Sequence, residues 1–129
     1  MAWSQSYRQN GTDIVKHTFD WVSASDGTAT LPSTVPVSGV IHRVVFVPSA
    51  SAAPTTLYDL TLTDPNGIDV LAGQGADLSA TVSSAVCPGM PLKDGTTVGV
   101  VPTTVDGILT LNVTNAGSAK AGKVVVYVR

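Results

Sequence analysis

The chain has 129 residues and a formal net charge of −2, built from nine Asp, no Glu, four Lys and three Arg. Such a length suits one domain with one core, and a single cysteine, Cys87, excludes an intrachain disulfide framework. The acidic balance and the lack of a basic cluster exclude general affinity for nucleic acid, which rests on Lys and Arg neutralising phosphates. No apolar run approaches the roughly 18 residues of a membrane-spanning helix.

Twenty Val and sixteen Thr fit a pleated surface better than a helix, and the missing Glu and few Lys leave little to cover outer helix faces. The reading is an all-β fold: an antiparallel β-sandwich or small β-barrel, jelly-roll-like, with at most one short helix around 76–86. Because only 12% of residues are charged, much of the surface must be Thr, Ser, Ala, Gly and Val. A surface of that kind associates, so part of it is expected to be covered by a partner or by copies of the chain.

Residues 1–11 read as an N-terminal arm, polar and rich in Gln, Asn and Ser, followed by a single β domain over 12–129. Trp3, Tyr7 and Arg8 are set into the arm and are of the residue types that concentrate binding energy at interfaces, so they are the candidate interface residues. The start, MAWSQSYRQNG, has neither the charged nor the apolar region of a signal peptide, and folding in the cytoplasm is expected. From Thr12 to Val22 the pattern alternates, with Val15, His17, Phe19 and Trp21 on one side, which predicts a strand with one apolar face. SASDG at 23–27 predicts a turn, and a short extended piece follows over 28–31, before Pro32 and Pro36.

Val40–Val47, VIHRVVFV, is a nearly continuous apolar run that predicts a central strand. Leu57–Thr63 alternates with Tyr58, Leu60 and Leu62 inward, and Asp64-Pro65-Asn66-Gly67 behind it predicts a hairpin into Ile68–Leu71. Residues 72–95 carry no clear period; Ala76–Val86 has the length of a short helix, but its Ser, Thr and Val favour a loop. Thr97–Val101 and Ile108–Thr114 read as strands, the latter with Leu109, Leu111 and Val113 on one face. NAGSAKAG at 115–122 is a turn into a last strand, Lys123–Arg129, where Val124, Val126 and Val128 alternate with Val125 and Tyr127. Strands this short, with turn signals between them, are the pattern of a sandwich or small barrel.

The chemistry-bearing residues are sparse. His17 shares the apolar side of its strand and reads as a core or subunit-contact residue. His42, beside Arg43, would need a carboxylate that the sequence does not locate, and neither histidine has a partner at metal-ligand spacing. Cys87, in AVCPGM, reads as an inert small hydrophobe, since a nucleophile would need an adjacent base and an electropositive setting. No GxSxG, HExxH or Gly-rich phosphate loop is present. Asp64, Asn66 and Asp69 in DPNGID loosely resemble calcium ligands, yet lack the EF-hand loop and its bidentate Glu, so a plain turn is expected. The sequons Asn10-Gly11-Thr12 and Asn112-Val113-Thr114 match the glycosylation pattern, the second inside a predicted strand. The expectation is a chain that is no enzyme and needs neither cofactor nor metal.

The segments LYDLTLTDPNGIDVLAG and VDGILTLNVTNAGSAKAGKVVVYVR, with FDW at 19–21 and IHRVVFVP at 41–48, resemble small structural proteins of tailed bacteriophages, above all capsid decoration or cement proteins. The resemblance spans about residues 12–129 and rests on strand-and-turn patterns. It implies a virion protein made in the host cytoplasm and placed on the capsid surface, a homotrimer that binds the major capsid protein and stabilises the shell. The competing readings are a host- or glycan-binding module of a head or tail fibre, and a head-tail connector or tail subunit.

Overall fold

A computed structural model of the chain describes residues 2–7, 14–91 and 100–129. The strands among them are β1 (Ala2–Tyr7), β2 (Val15–Val22), β3 (Ala29–Pro32), β4 (Val37–Pro48), β5 (Asp59–Thr63), β6 (Ser84–Val86), β7 (Gly89–Pro91), β8 (Val100–Pro102), β9 (Thr104–Gly107), β10 (Thr110–Thr114) and β11 (Ala121–Val128). They form a large sheet in the order β1-β2-β11-β4-β6, with β9 also paired to β4, a three-stranded sheet β3-β10-β5, and a small β7–β8 pair. Their pairings are antiparallel. The fold is therefore an all-β antiparallel sandwich, and its sheets do not close into the barrel held open as an alternative.

Alternation builds this architecture directly. Phe19, Trp21, Phe46, Val124, Val126 and Val128 point inward from the large sheet, and Leu60, Leu62, Leu111 and Val113 from the small one, all in one buried cluster. Trp21 meets Tyr58 across the sandwich, ring centroids 5.7 Å apart; burial pushes the Tyr58 phenol up to about 12. Loops knit the edges of the layers: buried Ser23 donates to the Gly117 carbonyl and accepts from the Lys120 amide, and Ser33 accepts from the Leu109 amide.

The segment read as a polar arm is, from Ala2 to Tyr7, the edge strand of the large sheet, with Trp3 opposite Phe19 and Gln5 opposite His17. The partly buried positions over 2–5 are Trp3 and Gln5, one apolar and one polar, so no apolar alternation announces it. Over 76–86 no helix forms: Asp77 takes φ 55°, and the Ser79 hydroxyl accepts the Thr81 and Val82 amides, a local alternative to helical bonding. The turn after β5 forms as read, with Gly67 at φ 79° and the Asp64 carboxylate accepting the Asn66 and Ile68 amides. Its second arm is a single bridge, Thr63 to Asp69, not a strand, because the chain turns again at Ala72 and Gly73. Most of the strand expected over 97–101 lies outside the described residues.

One close approach fixes the middle of the large sheet's end. Gly122 faces Trp21 across the β2–β11 ladder, and a Cβ there would lie 2.7 Å from Trp21 Cζ2 and 2.9 Å from the Val47 carbonyl oxygen. Trp21 is fully buried and cannot yield. Gly122→Ala should therefore destabilise the fold by about 1–3 kcal/mol, read as a lower urea midpoint at unchanged slope.

Candidate functional site

Of the candidate interface residues of the N-terminal segment, Trp3 is turned partly into the domain itself. Trp3 is half-buried, packs on the core and stacks on His17, ring centroids 5.6 Å apart at 25°. Tyr7 ends β1 opposite Val15, and Arg8 lies outside the described residues, as does the sequon at Asn10. His17 is only 2% exposed, as its place on the apolar side of β2 predicts. Its Nδ1 and the Trp3 Nε1 are buried without a hydrogen-bond partner among the described residues, and burial holds the imidazole below its usual pKa.

Cys87, read as an inert small hydrophobe, is exposed. It follows β6, a three-residue strand at the rim of the large sheet whose Ser84 and Ala85 are exposed as well. In DPNGID the carboxylates serve the backbone: Asp69 accepts the Leu62, Leu71 and Gly73 amides. Asn112 sits in β10 with its side chain bonded to Thr63 and the Thr110 carbonyl. Among the described residues no three His, Cys, Asp or Glu side chains come together.

The outer face of the large sheet carries the most organised set of polar groups. Register places Ser4, Thr18, Val125, Val45 and Ala85 in one row across five strands. A neighbouring row runs from Lys16 through Tyr127 to Arg43, and on the far side Asp20 stands opposite Lys123. The centre of this face is thus small and uncharged, and its flanks are mainly cationic.

A β-bulge interrupts the second row. Tyr127 faces Arg43 and Val128 faces Ile41, which leaves His42 as an extra residue in β4. With Ile41 and Val44 both buried, His42 and Arg43 are both turned out to solvent. Together with Ile14 and Tyr127 they line a groove of about 280 Å³. The Arg43 guanidinium lies 5.3 Å from the centre of the Tyr127 ring, within cation–π range. Arg43 and Tyr127 escaped the sequence reading as site residues; the signal was the adjacent polar pair His42-Arg43 inside an apolar run, which breaks the two-residue period of the strand.

A comparison with models of protein families finds no match to this chain, and a comparison with curated proteins finds none either.

Two measurements follow from these positions. A thiol reagent should titrate Cys87 in the native protein, and Cys87→Ser should shift stability by no more than about 0.5 kcal/mol, as for other exposed sites. For His17, the folded pKa is lowered, so the unfolded chain binds the proton first, near the ordinary value of about 6.5. Stability is then full above that pH and falls as pH drops through it toward the lower folded value. Melting temperature should fall more between about pH 7.5 and 5 for the native sequence than for His17→Phe, which keeps a ring against Trp3 without the charge.

Proposed function

We propose that this chain is a structural protein of a tailed-bacteriophage virion, one that decorates and braces the assembled capsid by binding the major capsid protein and associating with itself, as a trimer. It acts by contact and performs no chemistry. The observation that carries this reading is the surface: Ile14, Val22, Val35, Leu57, Ile68, Val82 and Ile108 are all 37% or more exposed, on a chain with 12% charged residues. Contacts in a lattice would bury such side chains, and many weak ones would act together. An antiparallel sandwich supports the same role by offering broad, rigid faces whose outer positions are free for contact.

Purified protein mixed with capsids stripped of accessory proteins should co-sediment with them and raise the temperature at which they rupture. Mass spectrometry of intact particles should count copies on the order of hundreds, as repetition over a shell lattice requires. A few copies per particle would instead indicate a fibre module, and a single ring's worth a connector. A monomer at every concentration in light scattering, with no binding to capsids, would sink the proposal.

A further inference from the structure

The groove at the β4 bulge is a second, more specific feature of the same face. We infer that it receives the carboxylate of an Asp or Glu side chain on a protein partner, with Arg43 as the principal donor, His42 beside it and Ile14 as the apolar rim. The inference rests on the reading that the chain acts by binding, and it names the chemistry that the bound surface must present.

Charge complementarity is the first argument. The fold engages five acids internally: the carboxylates of Asp26, Asp59, Asp64, Asp69 and Asp106 all accept hydrogen bonds from neighbouring amides or side chains, and Asp20 stands opposite Lys123, away from the groove. Its cations on the outer face are left otherwise, since among the described residues no carboxylate pairs with Lys16 or Arg43, which stand in one row on either side of Tyr127. An incoming anion meets a local excess of positive charge.

The second argument is preorganisation. A bulge spends a residue to turn two adjacent side chains to one face, and here those two are the imidazole and the guanidinium. The cation–π contact with Tyr127 favours one placement of the long Arg43 side chain, so less rotamer freedom is lost when its planar fork takes a carboxylate in two parallel hydrogen bonds. The guanidinium over the Tyr127 ring also brings a cation to the face on which a sugar would lie, which favours an acidic peptide in this groove over a neutral glycan.

The test uses the whole chain, labelled with nitrogen-15, and titrates it with acetyl-Gly-Glu-Gly-amide as the probe. Saturable shifts should centre on His42, Arg43 and Tyr127. Arg43→Ala should weaken the probe by about tenfold or more, given the strength of hydrogen bonds to charged groups. Arg43→Lys, which keeps the charge but not the fork, should fall between, and Lys123→Ala, outside the groove, should bind as the native sequence does. Equal shifts with acetyl-Gly-Gln-Gly-amide, or an unchanged Arg43→Ala with its spectrum still dispersed, would overturn the inference. So would tight binding of N-acetylneuraminic acid where the peptide does not bind, which would make the groove a sugar site. Capsid co-sedimentation is scored separately: peptide binding without capsid binding upholds the groove and removes the decoration reading, whereas equal decoration by Arg43→Ala without peptide binding removes the groove alone.

Discussion

β11 runs between β2 and β4, and among the described strands those two meet only through it. Val124, Val126 and Val128 drop from its inner side into the core at 0%, 0% and 1% exposure, each contributing roughly 1.5–3 kcal/mol relative to an exposed side chain. Both of its backbone edges are paired over most of its length. Everything at the β1–β2 side of the large sheet, including the Trp3–His17 stack, is attached to β4 by this one strand. The groove depends on it as well, because Tyr127 and the shift in register that frees His42 belong to the β11–β4 ladder.

That dependence explains what could be read from the sequence. The runs at 15–21, 58–62 and 109–113 keep a two-residue period because each has one face in a single core, and they fall on β2, β5 and β10 with the inward sides expected; over 124–128 Val124, Val126 and Val128 point inward as expected, but Val125 is buried as well. Period reports which side of a strand is buried. It does not report which strand lies alongside, so neither the central place of β11 nor the bulge was legible. β1, β6 and β9 were missed for a different reason: they are short or hold too few apolar residues for any period to show, and pairing with an established neighbour holds them in place. The candidate interface suffered accordingly, since Trp3 was read by composition while its environment is set by β2.

The two signs of charge are used differently in this molecule. Asp is a turn residue here: it accepts amides at 26–28, 64–68 and 69–73 and across to 77, shaping the loops that join the layers. The Asp26 carboxyl is held below its ordinary pKa first by the Thr28 hydroxyl, then by the Thr28 amide. Lys16, Arg43 and Lys123 instead stand on the flat outer face of the large sheet, where no loop needs them. Asp20 stands opposite Lys123, so it is the Lys16 and Arg43 side of that face that stays cationic in the folded state.

The order of strands in the large sheet also bears on how the chain reaches it. No turn can bring β2 to β4; each waits for residues near the other end of the described chain, with Val125 settling beside both Thr18 and Val45. Local hairpins such as the 64–67 turn can form early, but they commit little of the core. A sheet closed by its most distant strand pays loop-closure entropy before most of its apolar faces are covered, which places folding toward the slow, millisecond-to-second end for small domains. During that interval β2 and β4 are open edges, and the chain is at greatest hazard of joining its neighbours wrongly before β11 has taken its place.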